Sequence, residues 1–132
     1  MENMIDSYLI AKLELAEKRV PFIIRRPIAN GSSEYWNVKD LEILVEGHTD
    51  SIPLSGRGLI KDNWDLSVMR ATSVVKRLTS NSNLDPTQLI AAGRSEFVPI
   101  MSNSSSEGRN KNRRIEMILS PNLDDLFKLL DE

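Results

Sequence analysis

The sequence predicts an α/β fold, a two-layer sandwich with helices packed on one face of a mixed β-sheet. Two observations carry this. Apolar residues alternate with period two over 41–46 and 115–119, and they recur at three- and four-residue spacings over 5–20, 68–78 and 123–130. The resulting order of helix, strand, helix, strand, strand, helix suits helices layered on one side of a sheet.

Each element has its own reason. Ile5, Leu9, Leu13, Ala16 and Val20 form one stripe, which predicts an N-terminal helix over 4–20. Pro21 and Pro27 then interrupt regular structure, and IANGSSEYW reads as a turn centred on Asn30-Gly31. LEILVEG alternates Leu41, Ile43 and Val45 with Glu42, Leu44 and Glu46, a strand with one buried face that Gly47 ends. Pro53, Gly56 and Gly58 make 51–63 a long loop over the end of that strand. In the next helix Val68, Ala71, Val74, Val75 and Leu78 share a face, Ser73, Lys76 and Arg77 point away, and Arg70 lies at the edge of the stripe beside Val74. NSNLDP ends this helix, and LIAAG reads as a short buried strand closed by Gly93. SNSSSEGRNKN is polar and low in complexity and reads as a second long loop before the strand RRIEMILS. After Pro121, Leu123, Leu126, Phe127 and Leu130 predict a C-terminal helix over 122–131, docked on the domain by its apolar stripe. There is no internal repeat.

A chain of 132 residues fits one domain, 1–132, large enough to bury a core without disulfides or metals. Apolar residues make up 40% and charged residues 27%, and no apolar stretch approaches the roughly 20 residues of a membrane span. The net charge of -2 and a pI near 5.5 provide no global attraction to nucleic acid or anionic lipid, so any partner is recognised by a site. With no cysteine, thiol catalysis, disulfides and thiolate metal sites are excluded. Residues 1–20 lack the basic, apolar and small-residue regions of a secretory signal.

Several residues carry charge or chemistry. Thr49-Asp50 follows a strand and Arg70 sits on the next helix, an arrangement that is either a structural salt bridge or a receptor for a ligand bearing both charges. Glu46, His48 and Asp50 have ligand chemistry, but alternate residues of one strand do not complete a coordination sphere, so a hydrogen-bonded loop histidine is preferred and no metal or other cofactor is expected. RNKNRR is strongly basic yet lacks interleaved aromatics, which favours a solvated turn over nucleic-acid binding. Trp64 is expected in the core.

Three segments together resemble the OmpA/MotB C-terminal-like family, the domain that tethers envelope proteins to peptidoglycan: VEGHTD at 45–50, NWDLSVMRATSVVKRL at 63–78 and EGRNKNRRIEMIL at 107–119. LIAAGRSEFVPI falls between them in the family's order, and the resemblance covers 41–120. NWDLS and the long loop before it look more like the motor-stator, MotB-type branch than the porin branch. The family opens with a strand ahead of its first helix. No such strand is legible before Ile5, so either it is missing or VPFIIRRPIANGSSEYW supplies a replacement.

The resemblance implies a pocket for the diaminopimelate of a peptidoglycan stem peptide, lined by Thr49, Asp50, Asn63, Leu66, Arg70 and Arg113. The free end of diaminopimelate carries an ammonium and a carboxylate. Asp50 suits the first, and the planar fork of Arg70 suits the second. Thr49 and Asn63 then serve the remaining polar atoms, and Arg113 a second carboxylate or a peptide carbonyl. The implied protein is a noncatalytic, periplasmic wall anchor whose membrane attachment lies outside this segment. No nucleophile–base pair or second tuned acid is visible for catalysis by Asp50 and Glu46. The competing reading is a protein-interaction or homodimerisation domain of the same fold that does not bind the wall.

Overall fold

The computed structural model describes residues 21–25, 41–54, 58–81 and 84–121. The helices expected over 4–20 and 122–131 and the turn at Asn30-Gly31 lie outside the described residues. Within them the elements are β1 (Phe22–Arg25), β2 (Leu41–His48), α1 (Asn63–Asn81), a single 3₁₀ turn (Pro86–Gln88), β3 (Leu89–Gly93), α2 (Ser106–Asn112) and β4 (Arg114–Pro121).

The four strands form one mixed sheet in the order β1-β4-β2-β3. β4 runs antiparallel to β2, and the two edge strands are parallel to their neighbours. β1 answers the question of the missing strand: FIIR, within the segment considered as a replacement, pairs with Ile115–Ile118. Pro21 and Pro27 obscured it, because an edge strand of four residues shows little alternation.

The register explains the core. Ile43 lies opposite Leu119, Val45 opposite Met117 and Gly47 opposite Ile115, which puts both apolar rows on one face. Against that face α1 sets Ala71, Val74 and Leu78, with Leu84 closing the end and Phe22, Ile24, Val75 and Leu89 packed at the margins. At about 25 cal/mol per Å² of apolar surface, burying one such side chain contributes about 1.5–3 kcal/mol, which makes this face the main source of cohesion.

Three expectations are corrected here. LIAAG is an edge strand and not a buried one: Ile90 and Ala91 are exposed because β3 has a neighbour on one side only. Part of the long polar loop is the helix α2, capped by the Ser105 hydroxyl, which accepts a hydrogen bond from Gly108 N. Trp64 and Val68 are exposed and outside the core. The cause is the close approach of α1 to the sheet. A Cβ on Gly47 would collide with the Ser67 carbonyl, and one on Gly93 would meet the Ser67 hydroxyl and Val68, so the helix seats on Ser67, which is fully buried. At about 100° per residue this turns Trp64 and Val68 onto the flank above β3, where the Trp64 ring lies 5.5 Å from that of Phe97.

Candidate functional site

The site gathers at the C-terminal end of β2, where that strand meets the start of α1 and of β4. Asp62 caps α1, accepting the Asp65 amide on its carboxylate at 2.8 Å and the Leu66 amide on its carbonyl at 3.0 Å. The first helical residue, Asn63, reaches back to the loop, its Nδ2 donating to the carbonyls of Asp50 at 3.3 Å and Ile52 at 3.1 Å. Thr49 N donates to the Ser95 carbonyl and Thr49 Oγ1 to the Asp50 carbonyl at 2.8 Å. Asp50 Oδ1 accepts the Ile52 amide at 3.0 Å, closing a local turn, and Oδ2 pairs with Arg113 Nη1. Arg113, just past α2, is steadied by Asn110, whose Oδ1 accepts from its Nη2.

Of the six residues expected from the sequence, Thr49, Asp50, Asn63 and Arg113 are therefore linked directly. Leu66 and Arg70 share the helix face of Asn63 at spacings of three and seven residues, and both are half-buried. Asp50 does form a salt bridge, but its partner is Arg113 and not Arg70. Arg70 makes no ion pair among the described residues, and its Nη1 is sheltered from solvent without a hydrogen-bond acceptor. A buried guanidinium nitrogen in that state favours the arrival of an acceptor.

The other face of the sheet carries a second ionic group, formed where Glu46 lies opposite Glu116 and His48 opposite Arg114. All four are buried. Arg114 holds Glu116 through Nε at 2.7 Å and Nη2 at 2.5 Å, Arg25 holds it at 2.6 Å, and Arg94 reaches Glu46 at 3.3 Å. His48 Nε2 sits 3.3 Å from Glu46 and 3.4 Å from Glu116, so between two carboxylates it carries the proton and donates it to Glu46. Its Nδ1 is buried without a partner. Burial, and then the repulsion of Arg114, push the His48 pKa below its ordinary value against the pull of Glu116 and Glu46. Burial alone would raise Glu116, but the hydrogen bonds from Arg25 and Arg114 bring it below the usual carboxylate range.

This corrects the imagined metal triad. The carboxylate that joins Glu46 and His48 is Glu116, while Asp50 is held elsewhere by Arg113. Three guanidinia around two carboxylates repel a cation, so the residues do not fit a metal. The basic run RNKNRR is likewise not a solvated turn. Arg109 donates to the Asn103 carbonyl at 2.9 Å, and Arg113 and Arg114 are both ion-paired, which leaves Lys111 as the one exposed cation of this run.

Two residues that sequence reasoning missed build this end of the sheet. Asn112, fully buried, accepts from the amides of Ile100 and Met101 and donates to Met101 O and Asn103 Oδ1, tying the loop after β3 to the start of β4. Ser67 Oγ accepts the amide of Ser95, itself at φ 55° in the left-handed region, and donates to the Trp64 carbonyl. A polar residue in the stripe of α1, next to two strand-end glycines, was the available signal for Ser67.

The OmpA family model matches residues 30–113. Motility protein B of Bacillus subtilis (strain 168) is 42% identical over 79 residues, covering 60% of this chain and 30% of that protein. Among solved structures, the C-terminal domain of Helicobacter pylori MotB is similar over 95% of this chain and 84% of that one, with a TM-score of 0.59 and 26% identity. The cell wall anchor of the T6SS from Pseudomonas aeruginosa is similar over 61% of this chain and 55% of that one, with a TM-score of 0.55 and 36% identity. The chain spans about a third of the length of the curated relatives it matches.

Proposed function

The chain belongs to the OmpA family, whose domains bind peptidoglycan as cell-wall anchors, and from that premise we propose that it grips the diaminopimelate of the stem peptide at the Asp50–Arg70–Arg113 site. The segment is periplasmic, and no helix among the described residues is long and apolar enough to cross a membrane. It acts without catalysis, holding a larger envelope protein to the wall.

The observation that carries this reading is Arg70. Arg70 lies on the helix face of Asn63, two turns along from it, and its sheltered Nη1 has no acceptor and no ion-pair partner among the described residues. A planar double donor held this way matches a carboxylate. A shallow polar site that must displace water binds one soluble fragment weakly. Polymeric wall engaged by a second copy of the module would be held far better, because the second contact becomes intramolecular. The test is cosedimentation with purified sacculi. Wild-type protein is retained and Arg70→Ala is retained much more weakly, while its stability falls by under about 1 kcal/mol; undiminished retention of Arg70→Ala would refute the assignment.

A second reading has one observation in its favour. Leu59, Trp64, Val68 and Met69 line a shallow groove of about 400 Å³ on the flank of α1 away from Arg70, next to the open edge of β3. Exposed apolar surface of this kind suits a protein partner. Sedimentation analysis in the absence of sacculi separates the two, since only the second reading predicts association without wall.

A further inference from the structure

In the free site every acceptor on Asp50 is already engaged by the protein. Oδ1 takes the Ile52 amide, Oδ2 takes Arg113, and the carbonyl takes both Thr49 Oγ1 and Asn63 Nδ2. The Asp50 side chain is only 9% exposed, whereas that of Arg113 is 37% exposed. Donors, by contrast, are in surplus. Asp50 already holds one guanidinium, that of Arg113, and the sheltered Nη1 of Arg70 has no acceptor among the described residues. The unliganded site is therefore a net cation, built to receive an anion first.

We propose that Arg113 is the specificity-determining residue of this site, an internal substitute for the ligand's ammonium that occupies Asp50 until the ligand displaces it. The inference rests on the stem-peptide reading above. The ligand carboxylate meets Arg70, which has nothing to exchange for it, so that contact is gained outright. Each carboxylate oxygen keeps a second lone pair, but the Asp50 side chain is nearly buried under Arg113, so the ammonium reaches it by taking the place of Arg113 on Oδ2; one charge-assisted bond is broken for the one made and the net gain is small. Arg113, released but still steadied by Asn110, is then available to a second ligand carboxylate or carbonyl. The site discriminates strongly at the carboxylate of the head group and weakly at its ammonium, even though Asp50 looks like an ammonium receptor.

The experiment uses three soluble probes to displace the protein from sacculi: the tripeptide L-Ala-γ-D-Glu-meso-diaminopimelate, the same tripeptide with the free-end carboxylate amidated, and one ending in 2-aminopimelate, which lacks the free-end ammonium. For wild type, the amide should compete about tenfold or more worse than the parent, and the aminopimelate form within about threefold of it. In Arg113→Gln, Asp50 loses its substitute, and the aminopimelate form should fall about tenfold or more behind the parent. Arg113→Lys keeps a cation on Asp50 and should restore the wild-type order. Circular dichroism of both variants verifies the fold. A tenfold loss with aminopimelate in wild type, or an Arg113→Gln profile identical to wild type, overturns the inference and leaves the stem-peptide reading standing. A parent tripeptide that displaces nothing overturns both.

Discussion

Arg113 and Arg114 are consecutive, yet they belong to two ionic groups of opposite character. Arg114 is 1% exposed and closes on Glu116 beneath the sheet, together with Glu46, His48, Arg25 and Arg94. Arg113 is 37% exposed and pairs with Asp50, on the side of the sheet where α1 carries Arg70. Where β4 begins, successive side chains diverge to the two sides of the sheet, and each side has a different use. In the lower group the carboxylates are answered by arginines, and removing a partner strands a buried charge. In the upper group one arginine is left without an acceptor among the described residues, a penalty that an arriving acceptor would relieve. Residue type does not separate a structural charge from a recognition charge here; what separates them is whether the protein itself satisfies it.

The largest effect that would break the contrast is on stability. Glu116→Ala leaves Arg114 buried without its carboxylate and should destabilise the domain by about 3–5 kcal/mol. Arg70→Ala should cost under about 1 kcal/mol, because no ion pair among the described residues is lost. Asp50→Ala lies between them, at roughly 1–2 kcal/mol, because it frees the Ile52 amide and Arg113 together. Urea denaturation of the three variants ranks them, and an Arg70→Ala loss equal to that of Glu116→Ala would place Arg70 in the structural class.

Binding reverses the order and sharpens it. Arg70→Ala should weaken retention on sacculi by about 1.5–3 kcal/mol, the contribution of a hydrogen bond to a charged group. Lys111→Ala, which removes an exposed cation from the same basic run, should leave retention unchanged within a factor of about two. Equal losses for the two would mean that general positive charge, not a built carboxylate site, holds the wall.

Much of this was legible in the sequence, for reasons that separate local from tertiary information. The rows Leu41, Ile43, Val45 and Ile115, Met117, Leu119 announce their strands because period two is a local pattern, and both prove fully buried. The candidate residues were legible through a family resemblance, and four of the six are joined by direct contacts. The pairing of Asp50 was not legible, since its partner is 63 residues away and Arg70 is the nearer arginine in sequence. Nor was α2, where only Gly108 and Asn112 are buried and no apolar stripe exists to reveal a helix. The alternation that marks β2 assigns Glu46 and His48 to a solvent face, and only the register with β4 shows them closed under Arg114 and Glu116.

The smallest expected effect concerns pH and isolates the lower group. His48 has a folded-state pKa below its unfolded value of 6.5, because burial and Arg114 disfavour the imidazolium. Above that value both states carry neutral imidazole and stability is flat with respect to this group. As pH falls below it, the unfolded chain takes up the proton first, so stability declines until the folded pKa is passed. One proton limits the slope to about 1.4 kcal/mol per pH unit. Glu116, depressed below its ordinary value of 4.5, contributes stability that is present above that pH and lost in a separate, more acidic window. His48→Gln keeps a nitrogen donor for Glu46 and Glu116 but does not titrate. Its denaturant midpoint should therefore stay level just below pH 6.5, where that of wild type begins to fall, and both should decline together in the carboxylate window. Parallel curves for the two proteins across the first window would mean that His48 takes up its proton with the same pKa in both states, and that the lower group owes its stability to the arginine–carboxylate pairs alone.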